Sequence, residues 1–150
     1  MGKLASMLAA AAAAALVLTA VSAARPAAEH YRISATLNAG QEIPKQVVRN
    51  QAGHGTFTGT LTGTSLKWKL TFSKLTGSAT AAHIHLGAMG KAGNVIVPLC
   101  TPCHAGMTGT ATISAALLKK IEKHLTYVNV HTAKNPAGEI RGQTVAKAGM

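Results

Sequence analysis

The stretch that decides the fold is Tyr127–Gln143, whose sequence is YVNVHTAKNPAGEIRGQ. Apolar and polar residues alternate in each half, with Val128 and Val130 in the first half and Ile140 in the second. The segment Asn135–Gly138 interrupts this alternation with asparagine, proline and glycine, which favour turns. Because a period of two residues is typical of a half-buried strand, the stretch is predicted to form two strands joined by a turn.

The same alternation recurs upstream and predicts a chain made mainly of short strands. In the clearest example Leu66, Trp68 and Leu70 share one face and are predicted, with Val128 and Val130, to face the core. Short strands at this spacing favour an all-β fold, an antiparallel β-sandwich or barrel. Upstream of the hairpin the predicted strands are Tyr31–Leu37, Gly55–Leu61, Leu66–Phe72, Thr80–Leu86, Val95–Val97 (ending at Pro98) and Gly109–Ile113.

One short segment departs from the strand pattern. Ser114 is a residue type that caps helix N-termini, and it precedes a segment with helical periodicity. One helix is therefore predicted over Ala115–His124, with Leu117, Ile121 and Leu125 on its buried side.

The first residues have the features of a secretory signal peptide. Lys3 provides the positive start, Leu4–Ala20 is an apolar run rich in alanine, and Val21–Ala23 supplies the small residues of a cleavage site. The run is too short to favour a membrane anchor, and no second apolar span follows it. Residues 1–23 are predicted to be removed, and the remaining protein is predicted to be soluble and secreted or periplasmic, without a membrane span.

The charge balance is strongly basic. The formal net charge is +11, and the chain contains four glutamates and no aspartate. This balance favours anionic partners, including an anionic component of the cell envelope. The cations are spread from Arg25 to Lys147 without interleaved aromatics, so no nucleic-acid partner is predicted. A charged, solvated surface without a specific ligand is the favoured interpretation of this charge.

Four local sequences carry a resemblance to a known family. They are LNAGQEIP at Leu37–Pro44, AHIH at Ala82–His85, VIVPLC at Val95–Cys100, and YVNVHT at Tyr127–Thr132 continuing to GEIRGQ at Gly138–Gln143. With these sequences the chain resembles, over residues 28–147, the CHRD (chordin-type) domain, as found in secreted bacterial proteins with a single such domain. The resemblance implies an immunoglobulin-like β-sandwich or barrel, distantly similar to copper/zinc superoxide dismutase, and implies no established activity.

Three histidines are candidate metal ligands. His83 and His85 are two residues apart, so a strand places both imidazoles on one face, where His131 of a neighbouring strand would complete a copper or zinc site. The alternation of apolar and polar residues also places a polar cluster of Asn129, Glu139 and Arg141 on the outward face. The favoured interpretation is a structural network in which the histidines hydrogen-bond the adjacent glycine-rich loop and Glu139 pairs with Arg141.

The two cysteines allow two interpretations. Cys100-Thr101-Pro102-Cys103-His104 matches the C-x-x-C-H attachment sequence of c-type haem. An exported protein with only these two cysteines is also expected to join them in a disulfide, which is the favoured interpretation. Haem would further need an apolar pocket and usually a second axial ligand.

No nucleophile motif or phosphate-binding loop is recognisable, so an enzyme is not predicted. The sequence favours an exported, non-catalytic binding or structural module of the cell envelope with no cofactor. The first alternative is a small copper- or zinc-binding protein using His83, His85 and His131. The second is a haem protein using Cys100, Cys103 and His104.

Overall fold

A computed structural model of the protein describes residues 30–45 and 51–149. The predicted signal peptide, residues 1–23, lies outside these ranges. Within them, no helix has the length and apolar character needed to cross a bilayer.

The described residues form nine strands, one α-helix and a 3₁₀ turn. The predicted hairpin is present as the strands Thr126–Thr132 and Ile140–Gln143. The helix begins after Ser114, whose hydroxyl accepts a hydrogen bond from the backbone N–H of Leu117. In chain order the elements are β1 (His30–Asn38), the 3₁₀ turn (Ala39–Gln41), β2 (His54–Thr62), β3 (Ser65–Ser73), β4 (Ala79–Leu86), β5 (Val95–Cys100), β6 (Met107–Thr112), α1 (Ala115–Glu122), β7 (Thr126–Thr132), β8 (Ile140–Gln143) and β9 (Val145–Ala148).

All nine strands belong to one antiparallel sheet. Eight follow the order β5-β4-β7-β8-β1-β2-β3-β6, and β9 pairs with β1. The two edge strands, β5 and β6, contact each other, so the sheet curls almost into a closed barrel. The predicted all-β class, antiparallel arrangement and single helix are confirmed, and of the two predicted forms the structure is nearer to the barrel.

The barrel interior contains the apolar residues that the alternation predicted to face the core. Leu66, Leu70, Val128 and Val130 are fully buried, and Trp68 is 4% exposed. Inside the barrel Trp68 stacks on Phe57, with ring centroids 6.4 Å apart. The predicted core residues and their strand register are therefore confirmed.

Three local predictions differ from the structure. Leu125 was assigned to the buried side of the helix, but α1 ends at Glu122 and Leu125 is 37% exposed. β5 does not end at Pro98 but continues to Cys100, because an edge strand tolerates a residue without a backbone N–H. β9 was not predicted, since only its pairing with β1 marks it as a strand.

Candidate metal centre

Three histidines from two neighbouring strands meet at one place. β4 pairs with β7 so that Ala81 lies opposite His131 and His83 opposite Asn129, which makes His83 and His131 diagonal neighbours. The ring centroids of His83 and His131 are 5.0 Å apart. The ring centroid of His85 lies 5.6 Å from that of His83 and 5.7 Å from that of His131. One potential ligand nitrogen from each ring lies within 4.8 Å of the others, so the structure brings the predicted ligands together.

Backbone carbonyls fix the orientation of two of these rings. Nδ1 of His85 lies 3.0 Å from the carbonyl oxygen of Gly93, and Nδ1 of His131 lies 3.0 Å from that of Pro136. Because a carbonyl only accepts hydrogen bonds, each Nδ1 carries the proton and each Nε2 keeps its lone pair. Metal-binding histidines have this second hydrogen bond in most known sites. A carbonyl contact and metal ligation, which the sequence presented as alternatives, are compatible because an imidazole has two nitrogens.

The third histidine completes the group. Nδ1 of His83 lies 3.1 Å from the unprotonated Nε2 of His131 and donates a hydrogen bond to it, so a metal ion bound by both nitrogens would take the place of this proton. Two nitrogen ligands about 2.05 Å from one tetrahedral metal would be about 3.3 Å apart, close to this separation. The Nε2 atom of His85 is buried and has no hydrogen-bond partner within the described parts of the chain. An unpaired buried nitrogen of this kind is costly unless it accepts a proton or a metal ion.

The environment favours the neutral form of all three imidazoles. Burial is the largest influence and lowers the pKa of each ring, to about 4 for His131. The carbonyl of Gly93 opposes this shift for His85, and the carbonyl of Pro136 opposes it for His131. Neutral imidazole is the form that binds a metal, so the nitrogens need not lose protons near neutral pH.

The polar residues on the outward strand face are buried and not exposed to solvent, which corrects the sequence interpretation. Both faces of β7 are buried, and His131, Asn129 and Arg141 are 8%, 3% and 1% exposed. The loop between β4 and β5 contributes to this burial, since Nη2 of Arg141 donates hydrogen bonds to the carbonyl oxygens of Ala88 and Lys91. These residues do face away from the barrel core, but they line a second, polar interior.

A stack of three side chains supports the ring of His85. His85 lies parallel to Tyr127, with ring centroids 4.9 Å apart. On Tyr127 lies the guanidinium of Arg141, whose central carbon is 3.4 Å from the ring centroid. The backbone N–H of Gly93 donates a hydrogen bond to the Tyr127 hydroxyl, which ties the loop to the stack. The stack fixes the plane of the candidate ligand.

A buried carboxyl lies beside this stack. Glu42 follows the 3₁₀ turn and is 1% exposed, and one of its oxygens accepts a 3.4 Å hydrogen bond from the side chain of Asn129. Its other oxygen has no hydrogen-bond partner among the described residues. Burial raises the pKa of Glu42 to about 7, although the positive charge of Arg141 acts in the opposite direction.

Glu139 belongs to a hydrogen-bond network different from the one predicted. Its carboxylate accepts hydrogen bonds from the backbone and hydroxyl of Thr76, at 2.5 and 2.7 Å, from Thr132 at 2.6 Å and from Asn135 at 3.1 Å. Burial alone would raise the pKa of Glu139, but these hydrogen bonds outweigh it and hold the pKa below its usual value. Arg141 instead donates hydrogen bonds to loop carbonyls and interacts electrostatically with Glu42. The predicted ion pair between Glu139 and Arg141 is therefore wrong.

The family model of the CHRD domain matches residues 33–144, which is most of the chain. The protein belongs to the CHRD domain family. Comparisons with curated proteins and with solved structures gave no significant match.

The cysteines of this CHRD domain are joined to each other. Cys100 and Cys103 form a disulfide with an S–S distance of 2.06 Å, as the sequence favoured. Both thioether bonds of a c-type haem would require these same sulfur atoms. His104 is exposed on the loop that follows, and it is not one of the clustered histidines.

Sequence reasoning missed three contributors to the polar interior of the CHRD domain. Glu42 lies in the matching sequence LNAGQEIP, but no role was predicted for it, and Tyr127 was assigned only to a strand. Thr76 precedes β4 in a segment without periodicity, so no pattern marked it. The one available signal was that Glu42 is among only four acidic residues in a strongly basic chain.

Proposed function

We propose that this CHRD domain is an exported, non-catalytic binding module of the cell envelope that holds one transition-metal ion. The ligands are His83, His85 and His131. The observation that carries the proposal is the convergence of three neutral imidazoles, two of them oriented by carbonyls that leave Nε2 unprotonated.

Copper is the favoured metal. Imidazole nitrogens suit both copper and zinc, and nitrogen sites of this type bind Cu(II) more tightly than the other divalent first-row metals. An exported protein also meets metals outside the buffered cytosol, and the signal-like residues 1–23 support export. Zn(II) is the second candidate, because three histidines with one open position also form a common zinc arrangement.

Two kinds of side chain that could act in catalysis are already engaged in other interactions. Glu139 is held by Thr76, Thr132 and Asn135, and both cysteine sulfurs are in the disulfide. These groups are therefore occupied as hydrogen-bond acceptors or in a covalent bond, and neither is available as a base or nucleophile beside the histidines.

The test is titration of chelator-treated protein with Cu(II) and with Zn(II), followed by calorimetry. Wild type is expected to bind one equivalent tightly, and the His83→Ala/His85→Ala double variant to lose that binding. The matched control is His30→Ala/His104→Ala, which removes two exposed histidines outside the cluster. Weak, equal binding by all three proteins would contradict the proposal.

A spectroscopic measurement tests the ligand set separately. The Cu(II) complex of wild type should show nitrogen couplings in electron paramagnetic resonance, and His131→Ala should have one imidazole fewer. An unchanged spectrum in that variant would remove His131 from the ligand set.

A further inference from the structure

A large outward surface lies on strands other than those of the histidine cluster. Strands β1, β2, β3 and β6 are consecutive in the sheet, and their exposed side chains are only Arg, Lys, His, Ser and Thr. Threonines occupy every second position of β2 from Thr56 to Thr62 and of β6 from Thr108 to Thr112. We call this surface, with its cations Arg32, Lys67, Lys69 and the neighbouring Lys147, the basic threonine face.

The strand register aligns the cations of this face in a row. Arg32 of β1 pairs with Lys147 of β9 on one side and with Thr60 of β2 on the other. Thr60 pairs in turn with Lys67 of β3. Lys69 is two residues further along β3 on the same side. A shallow open groove crosses the row, and Arg32, Lys67 and Lys69 contribute to its lining. Like charges placed directly opposite one another, as Arg32 and Lys147 are, destabilise a sheet unless an anion lies between or over them.

Within residues 30–45 and 51–149, no carboxylate on this face neutralises these cations. Of the acidic residues in the described parts of the chain, Glu42 and Glu139 are buried, and Glu122 is exposed on α1. The basic threonine face therefore combines positive charge with rows of hydroxyl groups, and its chemical complement is a partner with negative charges and hydroxyls.

We propose that the basic threonine face binds a linear acidic polysaccharide of the polyuronate type. Lysine and arginine would pair with the sugar carboxylates, and the threonine and serine hydroxyls would hydrogen-bond the sugar hydroxyls. The partner is extended because the cations and hydroxyls continue across four strands. The inference is independent of metal binding, because none of the three histidines is part of the face.

The composition of the face argues against two other polyanions. Proteins that bind single-stranded nucleic acid stack bases on aromatic side chains, and this face exposes no Phe, Tyr or Trp. Binding at a membrane surface usually adds apolar side chains that enter the lipid. The large hydrophobic residues that are exposed within the described ranges, Met89, Val95 and Leu125, are not on these strands.

The test compares two triple variants that lose the same charge. Arg32→Thr/Lys67→Thr/Lys69→Thr removes cations from the face with a residue suited to strands. The control, Lys119→Gln/Lys120→Gln/Lys123→Gln, removes cations at and just after α1 with a residue suited to helices. Binding of polygalacturonate to full-length mature protein is measured at low and at physiological salt, with neutral dextran as the uncharged polymer.

Wild type is expected to bind polygalacturonate, less tightly at higher salt, and not to bind dextran. The face variant should lose about tenfold in affinity, the effect expected from three weak surface ion pairs. The helix variant should lose less than about twofold, since only the general field of the protein changes. Thermal unfolding of all three proteins shows whether each variant is folded.

Two results would overturn the proposal. Equal weakening in both variants would mean that net charge, rather than this face, attracts the polymer. Tighter binding of phosphatidylglycerol vesicles or of a single-stranded oligonucleotide through the same face would replace the polysaccharide by that partner. The Cu(II) titration of the face variant should match wild type whichever result is obtained, so a failure here is distinct from a failure of the metal proposal.

Discussion

Replacing Glu42 by Gln should stabilise the metal-free protein increasingly as the pH rises. The carboxyl of Glu42 is buried with one unpartnered oxygen, and burial raises its pKa from 4.5 to about 7. A shift of that size corresponds to about 3 kcal/mol between the two protonation states. Between pH 5 and pH 8 the stability advantage of Glu42→Gln over wild type should grow by about 2–3 kcal/mol.

The sign follows from where the proton is bound. Between pH 4.5 and about 7 the folded protein keeps a proton on Glu42 that the unfolded chain has released, so stability falls as pH rises through this window. The buried histidines act in the opposite sense. The pKa of His131 is lowered from 6.5 to about 4, so the stability associated with its neutral ring is present above pH 6.5 and is lost as pH falls. The two effects offset each other in wild type, and the Gln variant reveals the histidine contribution.

The assay is urea denaturation of chelator-treated wild type and Glu42→Gln at several values between pH 5 and pH 8, with tryptophan fluorescence from Trp68 as the signal. Gln keeps the size and the hydrogen-bonding oxygen of the side chain, so the comparison isolates the titrating proton. The matched control is Glu122→Gln on the exposed side of α1, which makes the same chemical change away from the buried site. If Glu42→Gln follows the wild-type profile, Glu42 does not titrate in this window and the argument from burial is wrong.

Two further predictions concern the barrel. Trp68→Ala should lower the free energy of unfolding by about 3–5 kcal/mol because it empties the core space beside Phe57, whereas Lys67→Ala next to it should change the free energy by less than about 0.5 kcal/mol. A loss below about 1 kcal/mol for Trp68→Ala in urea denaturation would contradict its core position. Native mass spectrometry should find two hydrogens fewer than the reduced mass and no haem adduct, and Cys100→Ala/Cys103→Ala should cost about 2 kcal/mol or less because the closed loop is short. A covalent haem adduct on protein from its own compartment would reverse the cysteine assignment.

The strands and their buried residues could be read from the sequence because they depend on local periodicity. Alternation around Trp68 and Val128 identified the core side of two strands, and the Asn135–Gly138 interruption identified the hairpin. The same alternation placed His83 and His85 on one face of their strand. Family membership also followed from short local sequences whose order is kept along the chain.

Alternation separates the two faces of a strand, but it does not show whether the polar face is exposed to solvent. The loop between β4 and β5 and the 3₁₀ turn come from distant parts of the chain, and they cover Asn129 and Arg141. The choice of Thr76 over Arg141 as a partner of Glu139 depends on the same long-range packing. No periodicity encodes such contacts, because each joins residues about 50 or more positions apart.

The sequence by itself therefore determined the family, the strand pattern, the core residues and the pair of cysteines. Only the tertiary structure decided that the three histidines meet, that His85 and His131 keep Nε2 unprotonated, and that Glu42 is buried against Asn129. It also decided that Arg32, Lys67 and Lys147 form one row. The physical reason is that local alternation fixes which side a residue faces, whereas strand order and loop packing fix which neighbours that side receives.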